Sequence, residues 1–206
     1  LGRVYPCACS RREIADSALT GIEGAVYPGT CRNGLAADKN ARAWRIDARG
    51  VDIAFNDALQ GKIRQNLETD IGDFVLYRAD RVYAYQLAVT VDDAEQGITD
   101  IVRGADLLDS TPRQIFLQQM LKLPTPRYMH VPVAVNAAGE KLSKQTHAPA
   151  IDAANPMPSL VAALRFLGHE PPRELAAASV QALWQWAVAA WRGGQIPRSR
   201  RLSVRQ

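Results

Sequence analysis

The three cysteines constrain the fold of this chain more than any other feature of its sequence. Cys7 and Cys9 are one residue apart, and Cys31 lies in a stretch from residue 21 to 40 that is rich in glycine, proline, asparagine and small residues. An odd number of thiols argues against a set of disulfides. In a reducing compartment, clustered cysteines bind metal more often than they form disulfides. The pattern therefore favours a small metal site.

The three cysteines leave such a site one ligand short. Zinc in structural sites is held by four ligands in a tetrahedron. The nearest candidates for the fourth position are Tyr27 and water, because all three histidines are distant in sequence. Tyr27 and Cys31 flank a Pro-Gly pair, so a tight loop can direct both at one ion. The spacing alone leaves a second interpretation open, in which the cysteines are buried thiols that pack as small hydrophobic side chains.

Composition and charge narrow the class of protein. The chain has 206 residues, of which 47% are hydrophobic, enough to bury a core. Its sequence has no run of about 18 uncharged apolar residues and no recognisable secretory signal, which indicates a cytoplasmic protein rather than a membrane protein. We expect a monomer. The net charge of +4 is typical of an ordinary solvated surface, but arginines cluster at the C-terminal end. These arginines either contact the phosphate backbone of a nucleic acid or belong to a flexible terminus.

Periodicity in the first half predicts mostly strands. Ser10 and Glu13 have the spacing of a capping box, which predicts a short helix, and the stretch 21–40 reads as loop. Apolar and polar residues alternate from 44 to 55, which predicts strands with a turn at Gly50. Further strands are predicted at 74–77 and 84–91, joined by a charged turn.

The second half reads as mainly helical. A helix is predicted from Thr111, the expected N-cap before Pro112, to just before Pro124, and a strand at 131–135. Two more helices, at 160–167 and 180–191, are followed by Gly168 and by Gly193-Gly194, where we expect left-handed C-caps. In the last helix Trp184 and Trp191 are seven residues apart and are predicted to face the core, with Trp186 pointing elsewhere.

An ordered set of short motifs links these segments to a known family. The Cys-x-Cys and Tyr-x-x-x-Cys patterns are followed by residues 85–88 (YQLA), 91–93 (VDD), 101–106 (IVRGAD) and 141–145 (KLSKQ). Together they resemble the glutamyl-queuosine tRNA(Asp) synthetases, small relatives of the class I glutamyl-tRNA synthetases, over residues 3–201. The resemblance implies that Cys7, Cys9, Tyr27 and Cys31 hold one Zn²⁺.

The same resemblance assigns substrate-binding residues. It implies that Tyr85 and Arg103 bind glutamate, for which a planar guanidinium and a phenolic hydroxyl are suited. Without it, Tyr85 reads as a strand aromatic in the core and Arg103 as a surface residue paired with Asp100 or Asp106.

Residues 141–145 resemble the mobile KMSKS loop of class I synthetases. The resemblance implies that Lys141, Ser143 and Lys144 bind ATP, accompanied by Mg²⁺, with Lys144 as the principal catalytic residue. Lysines there neutralise phosphate charge as the glutamate carboxylate attacks the α-phosphate and pyrophosphate leaves. The alternative is a solvated Gly-Glu-Lys turn.

The implied fold is α/β, the C-terminal half of a Rossmann-like class I catalytic domain with an inserted mixed α/β subdomain and a small zinc site. We expect a zinc-binding segment at 1–40, an inserted acceptor-binding-like subdomain and the return to the nucleotide-binding fold at 41–110, the rest of the catalytic domain at 111–150, and a helical region at 151–206. Sequence periodicity alone gives only mixed α and β.

The implied function is ATP-dependent activation of glutamate and its transfer to queuosine in the anticodon loop of tRNA(Asp). The segment 145–206 is too short for the anticodon-binding region of a full glutamyl-tRNA synthetase. The sequence starts at Leu1 as if in mid-domain and contains no HIGH-like motif, so we expect residues 1–206 alone to form no adenylate. Two alternatives are a zinc-stabilised RNA-binding module without catalysis, and a folded domain whose thiols are merely buried.

Overall fold

Two compact units make up the chain in the computed structural model, which describes residues 2–15, 20–22, 24–143, 146, 148 and 150–204. The first unit comprises Leu1–Asn56, Lys62–Ile101 and Asp109–Arg127, and the second Asp57–Gly61, Val102–Leu108 and Tyr128–Gln206. Both units contain helices and strands, and the α/β class is confirmed. Among the described residues, every helix is too short or too polar to cross a membrane.

A three-stranded antiparallel sheet organises the first unit. Its strands are β1 (Val4–Cys7), β4 (Ala43–Ile46) and β7 (Phe74–Tyr77), in the order β1-β4-β7. Val4 pairs with Ile46 and Cys7 with Ala43. Alternate side chains are buried along β1 and β7, as expected for strands with one covered face. The strand predicted at 74–77 is confirmed.

The segment between β1 and β4 carries a short helix and a small hairpin. Helix α1 (Arg11–Ala15) opens with the predicted capping box: the Ser10 N–H donates to Glu13 Oε2 at 2.6 Å, and the Glu13 N–H to Ser10 Oγ at 3.3 Å. Strands β2 (Thr20–Gly21) and β3 (Gly24–Ala25) form an antiparallel pair. The prediction that the whole stretch 21–40 is loop was therefore wrong at its start.

Strand β5 (Asp52–Asp57) follows a turn at Gly50, whose φ is +66°. The predicted strands on either side of this turn exist, but they have different partners. β5 pairs with β6 (Gly61–Asn66), whereas β4 pairs with β1 and β7. Helix α2 (Leu67–Asp70) then begins at Asn66, whose side chain accepts the Thr69 N–H.

The next segment corrects the strand prediction at 84–91. It forms helix α3 (Tyr85–Glu95), preceded by Ala84 in an extended conformation. Strand β8 (Asp100–Gly104) pairs with β9 (Arg127–Val131). Helix α4 (Thr111–Leu121) is confirmed with Pro112 in its first turn, but its N-cap is Ser110 rather than Thr111.

In the second unit, β10 (Val133–Val135) runs parallel to β11 (Arg201–Ser203), so part of the arginine-rich tail is an ordered strand. Helices α5 (Met157–Phe166) and α6 (Val180–Ala190) pack through a cluster of Val161, Leu164, Leu183 and Ala187.

The caps and tryptophans of these helices only partly follow the predictions. Gly168 has φ +82° and ends α5 as expected. Helix α6 instead ends at Trp191 in an extended conformation, without a left-handed glycine. The tryptophan prediction was wrong: Trp184 is 49% exposed and Trp191 41%, while Trp186 packs against the core cluster.

Candidate functional site

The structure brings the three cysteines and Tyr27 together in the first unit. Cys7 lies at the end of β1 and is 1% exposed, and Cys9 follows two residues later. On the facing loop, the Arg32 N–H donates to the Gly29 carbonyl, and Gly29 has φ +85°. This tight turn allows the Cys31 N–H to donate to the Tyr27 hydroxyl at 2.9 Å.

The spacing of the four donor atoms fits a tetrahedral ion. The Sγ atoms of Cys9 and Cys31 are 3.6 Å apart, and the Tyr27 hydroxyl is 3.4 Å from Cys7 Sγ and 3.7 Å from Cys9 Sγ. All three sulfurs lie within 4.8 Å of one another. Bonds of about 2.3 Å to sulfur and about 2.0 Å to oxygen place ligand atoms of a zinc tetrahedron about 3.5 to 3.8 Å apart. The residues present therefore fit zinc.

Burial favours the protonated forms of two of the four donors, Cys9 and Tyr27. Burial raises the pKa of the Cys9 thiol to about 11. The pKa of Tyr27 is raised by burial and by its hydrogen bonds to Cys31 and Cys7. Burial acts in the same direction on Cys31, but hydrogen bonds from Tyr27 and from the Ala8 backbone outweigh it and lower that pKa. A bound cation would have to displace the protons of Cys9 and Tyr27.

A buried carboxylate supports the loop that carries Cys31. Asp73, 2% exposed, accepts two hydrogen bonds from Arg32 at 2.6 and 2.9 Å, one from the Ala48 N–H and one from the Tyr5 hydroxyl. Burial and the Asp73 carboxylate raise the pKa of Tyr5. The Arg45 guanidinium lies 4.1 Å from the centre of the Tyr27 ring, in a cation–π contact.

A second constellation, in the second unit, surrounds Arg103. Its Nε–H donates to Nε2 of His130 at 3.0 Å, and His130 Nδ1 lies 2.6 Å from Asp57 Oδ2. Arg103 is partly exposed, whereas both side chains behind it are fully buried. Asp100, one of the two acidic partners suggested for Arg103, pairs with Arg127. Asp57 and His130 were not predicted from the sequence to take part in a site.

The KMSKS-like loop is described in part. Lys141 Nζ lies 2.5 Å from Asp106 Oδ2, in an ion pair at the surface. The Ser143 N–H donates to Thr146 Oγ1 at 2.9 Å, and the Ser143 carbonyl accepts the N–H of Ala148. Lys144, the predicted catalytic residue, lies outside the described residues.

Tyr85 is the first residue of α3 and is 52% exposed, so it is neither in a strand nor in the core. It belongs to the first unit, and Arg103 and Lys141 belong to the second. That Tyr85, Arg103 and Lys144 share one substrate site stays a prediction.

Comparison with known proteins decides the family. The model of the tRNA synthetases class I (E and Q), catalytic domain, matches residues 31–174, a stretch that includes Cys31, Tyr85, Arg103 and the whole KMSKS-like loop. The chain belongs to this family of class I tRNA synthetases.

Curated proteins similar to this class I synthetase chain carry a more specific name. The glutamyl-Q tRNA(Asp) synthetase of Aromatoleum aromaticum is 56% identical over 197 residues, which are 96% of this chain and 62% of that protein. The glutamyl-Q tRNA(Asp) synthetase of Chromobacterium violaceum is 55% identical over 196 residues, 95% of this chain and 65% of that protein. The chain thus spans somewhat less than two thirds of the length of these relatives.

Solved structures of class I synthetases share the fold. The glutamate-tRNA synthetase of Elizabethkingia anophelis superposes with a TM-score of 0.68 at 19% identity, covering 98% of this chain and 48% of that one. A glutamate tRNA ligase from Elizabethkingia meningosepticum gives a TM-score of 0.67 at 19% identity, with 98% and 47% covered. At this identity the likeness supports the fold alone.

Proposed function

We propose that this chain is part of an enzyme that activates glutamate with ATP and transfers it to the queuosine base in the anticodon loop of tRNA(Asp). The observation that carries the proposal is the family match together with relatives at 55–56% identity that are named glutamyl-Q tRNA(Asp) synthetases. The proposal is also supported by Arg103, the residue assigned to glutamate binding, because its guanidinium is held by a hydrogen bond to His130.

The proposed reaction has two steps. A carboxylate oxygen of glutamate attacks the α-phosphorus of ATP, and pyrophosphate leaves with the electron pair of the broken phosphorus–oxygen bond. A hydroxyl group of the queuosine cyclopentene ring then attacks the carbonyl carbon of the adenylate. It loses its proton, AMP leaves, and an ester remains.

The residues have distinct roles in this scheme. Arg103 pairs with a carboxylate of glutamate and Tyr85 hydrogen-bonds the same substrate, which orients the attacking oxygen. Lys141, Ser143 and Lys144 hold the phosphates and, with Mg²⁺, stabilise charge on the leaving pyrophosphate. Lys141 is paired with Asp106, so binding of a phosphate by Lys141 requires that it exchange this carboxylate for the phosphate.

We also propose that Cys7, Cys9, Tyr27 and Cys31 bind one Zn²⁺ with a structural role. A closed set of four protein donors is typical of structural zinc, because catalytic zinc sites keep a position open. The ion would fix the loop that carries Cys31 against the end of β1.

Zinc is tested by metal analysis and by competition with a chromogenic chelator. We expect one equivalent of zinc in the wild type. Tyr27→Phe should weaken zinc binding by roughly tenfold or more, because it removes an oxygen ligand. Tyr83→Phe, on a tyrosine that is 63% exposed, is the matched control and should leave affinity unchanged. Zinc-free protein with native stability would contradict the proposal.

Glutamate-dependent exchange of pyrophosphate into ATP tests the activity, measured on the intact gene product. Arg103→Ala should raise the KM for glutamate with little change in the KM for ATP. Transfer of labelled glutamate should require tRNA(Asp) that contains queuosine, and the same tRNA with guanine at that position is the control. Exchange that does not depend on glutamate would refute the proposal.

A second candidate, an RNA-binding module without catalysis, is favoured by one surface of the first unit. A cavity of about 710 Å³ near Cys9 is lined by Arg12, Arg42, Arg45 and Arg78, although Arg78 also pairs with Asp80. Salt-sensitive RNA binding without affinity for ATP or glutamate would select this candidate.

A further inference from the structure

Asp57 is fixed as a buried carboxylate at the turn between β5 and β6. Its side chain is 1% exposed and accepts the backbone N–H groups of Leu59, Gln60 and His130 at 2.8 to 3.2 Å. Burial opposes ionisation, but these hydrogen bonds outweigh it and lower the pKa of Asp57. The Asp57 carboxylate is therefore an ionised hydrogen-bond acceptor that backbone N–H groups hold in place.

The hydrogen bonds of His130 define its tautomer. Because ionised Asp57 can only accept, the Nδ1 atom 2.6 Å away must carry a proton. Because Arg103 can only donate, the Nε2 atom 3.0 Å from its Nε must present a lone pair. His130 is thus the neutral Nδ1–H imidazole, and burial, which lowers its pKa, acts in the same direction.

Arg103 is held on a second side by an aromatic ring. Its guanidinium carbon lies 5.5 Å from the centre of the Tyr128 ring, and Tyr128 stacks on His130 with centroids 6.1 Å apart and planes 15° from parallel. Tyr128 is 3% exposed, so this support is part of the core. The two contacts together fix both the plane and the rotation of the guanidinium group.

We infer that His130, held by Asp57, is a positioning residue for Arg103: its Nε2 lone pair fixes the guanidinium in the orientation that receives the carboxylate of glutamate. The inference rests on the proposed function, which assigns glutamate to Arg103. Recognition of a carboxylate by a guanidinium depends on a planar, pre-oriented fork, since an arginine that swings freely loses rotamer entropy on binding. Burying the Asp57–His130 pair costs desolvation free energy. The hydrogen bonds of this pair end on one partly exposed cation, the guanidinium of Arg103.

Two substitutions at position 130 separate positioning from packing. In His130→Asn the amide N–H takes the place of Nδ1 and can still donate to Asp57, but no acceptor reaches Arg103. In His130→Gln the longer side chain places an amide oxygen near the position of Nε2, where it can accept from Arg103. Both variants remove the ring, so their loss of packing is similar.

The kinetic test uses pyrophosphate exchange by the intact gene product. His130→Asn should raise the KM for glutamate about 10- to 100-fold, the range for a lost hydrogen bond to a charged group, with the KM for ATP unchanged. His130→Gln should recover most of that loss. Equal glutamate KM values for both variants and the wild type would overturn the inference, as would equal losses in both variants.

Arg103→Ala separates failure of the inference from failure of the proposed function. If Arg103→Ala leaves the glutamate KM unchanged, the proposed glutamate site is wrong. If it raises the KM while His130→Asn does not, the site stands and the positioning role is refuted. Should a variant not fold, the wild-type tautomer decides: nitrogen NMR of the His130 ring should show a proton on Nδ1 and none on Nε2, and a proton on Nε2 would overturn the inference.

Discussion

Single buried carboxylates bring distant segments of this chain together. Asp73 holds Arg32, which follows the last cysteine, and binds Tyr5 of β1 and the backbone of Ala48. Its side chain is completely buried, whereas that of Arg32 is 18% exposed. A charge in such a place depends on its partners, because the interior offers it no solvation.

Replacement of Asp73 by Asn should be costly. The substitution removes the negative charge that neutralises Arg32, and we expect unfolding in urea to show a loss of about 3 kcal/mol. Asp52→Asn is the matched control, because Asp52 pairs with the exposed Arg64 at the surface and its loss should cost less than about 1 kcal/mol. Equal losses in the two variants would contradict the role given to burial.

At the scale of residues, the sequence predicted site residues that are close together in the chain or that the family resemblance identifies. The spacing of Cys7, Cys9 and Cys31 indicated their cluster, and the resemblance to a family singled out Tyr27. Asp57 and His130 were missed because each looks ordinary in its own stretch of sequence. Only the fold brings the β5–β6 turn to strand β9, and nothing in local spacing signals that contact.

At the scale of elements, tertiary contacts overrode local preference in α3. Residues 84–91 contain tyrosine, valine and threonine, which favour strands, yet they are helical. Thr90 is buried and donates to the Gln86 carbonyl, a bond that a helix allows to a β-branched residue, and the Gln86 side chain accepts from Gln114 of α4. The contact of Gln86 with α4 could not be inferred from the sequence of this segment alone. Similarly, spacing predicted that Trp184 and Trp191 share one helical face, but Trp191 lies beyond the end of α6 and Trp184 is exposed.

The glycine that ends α5 carries a prediction of its own. Gly168 has φ +82°, and a Cβ there would lie 2.2 Å from the Gln195 carbonyl oxygen. Gly168→Ala should therefore cost more than the roughly 1 kcal/mol of a left-handed alanine, because the backbone also has to move.

Gly139→Ala provides the comparison in the same thermal unfolding experiment. Gly139 has φ +79°, but a Cβ there would meet no atom within 4 Å. Only the conformational cost is expected, about 1 kcal/mol. A Gly168→Ala protein no less stable than Gly139→Ala would show that the close approach to Gln195 is unimportant.

At the scale of the whole molecule, the resemblance predicted the α/β class and the family, because its motifs follow one another along almost the entire chain. It did not predict that each compact unit is assembled from three separate stretches of sequence. Periodicity reports the burial of single faces, whereas such an assembly depends on contacts between residues far apart in the chain.

Stability of the molecule should fall in mild acid because of His130. Its pKa is lowered in the folded state, so the unfolded chain binds the proton more readily. The contribution is fully present above the unfolded pKa of about 6.5 and is lost as the pH falls toward the folded pKa, with a slope of at most about 1.4 kcal/mol per pH unit. Asp57, whose pKa is also lowered, adds a second loss below about pH 4.

Urea unfolding between pH 7.5 and 5 measures this effect. The charged neighbours that act on the pKa of His130 are Asp57, Arg103 and Asp106. His130→Gln, which cannot titrate, should show a shallower decline than the wild type. The same decline in both proteins would assign the acid sensitivity to other groups.

The parallel pairing of β10 with β11 sets an order of events during synthesis. Val133 can pair with Arg201 only after Arg201 has been synthesised. Val135, in contrast, forms a bridge to Lys141, which is only six residues later in the chain. One edge of β10 is therefore left without its strand while the ribosome makes the intervening helices, and an unpaired edge invites association with other chains. A nascent chain that stalls in this interval would be the form of the protein most in need of a chaperone.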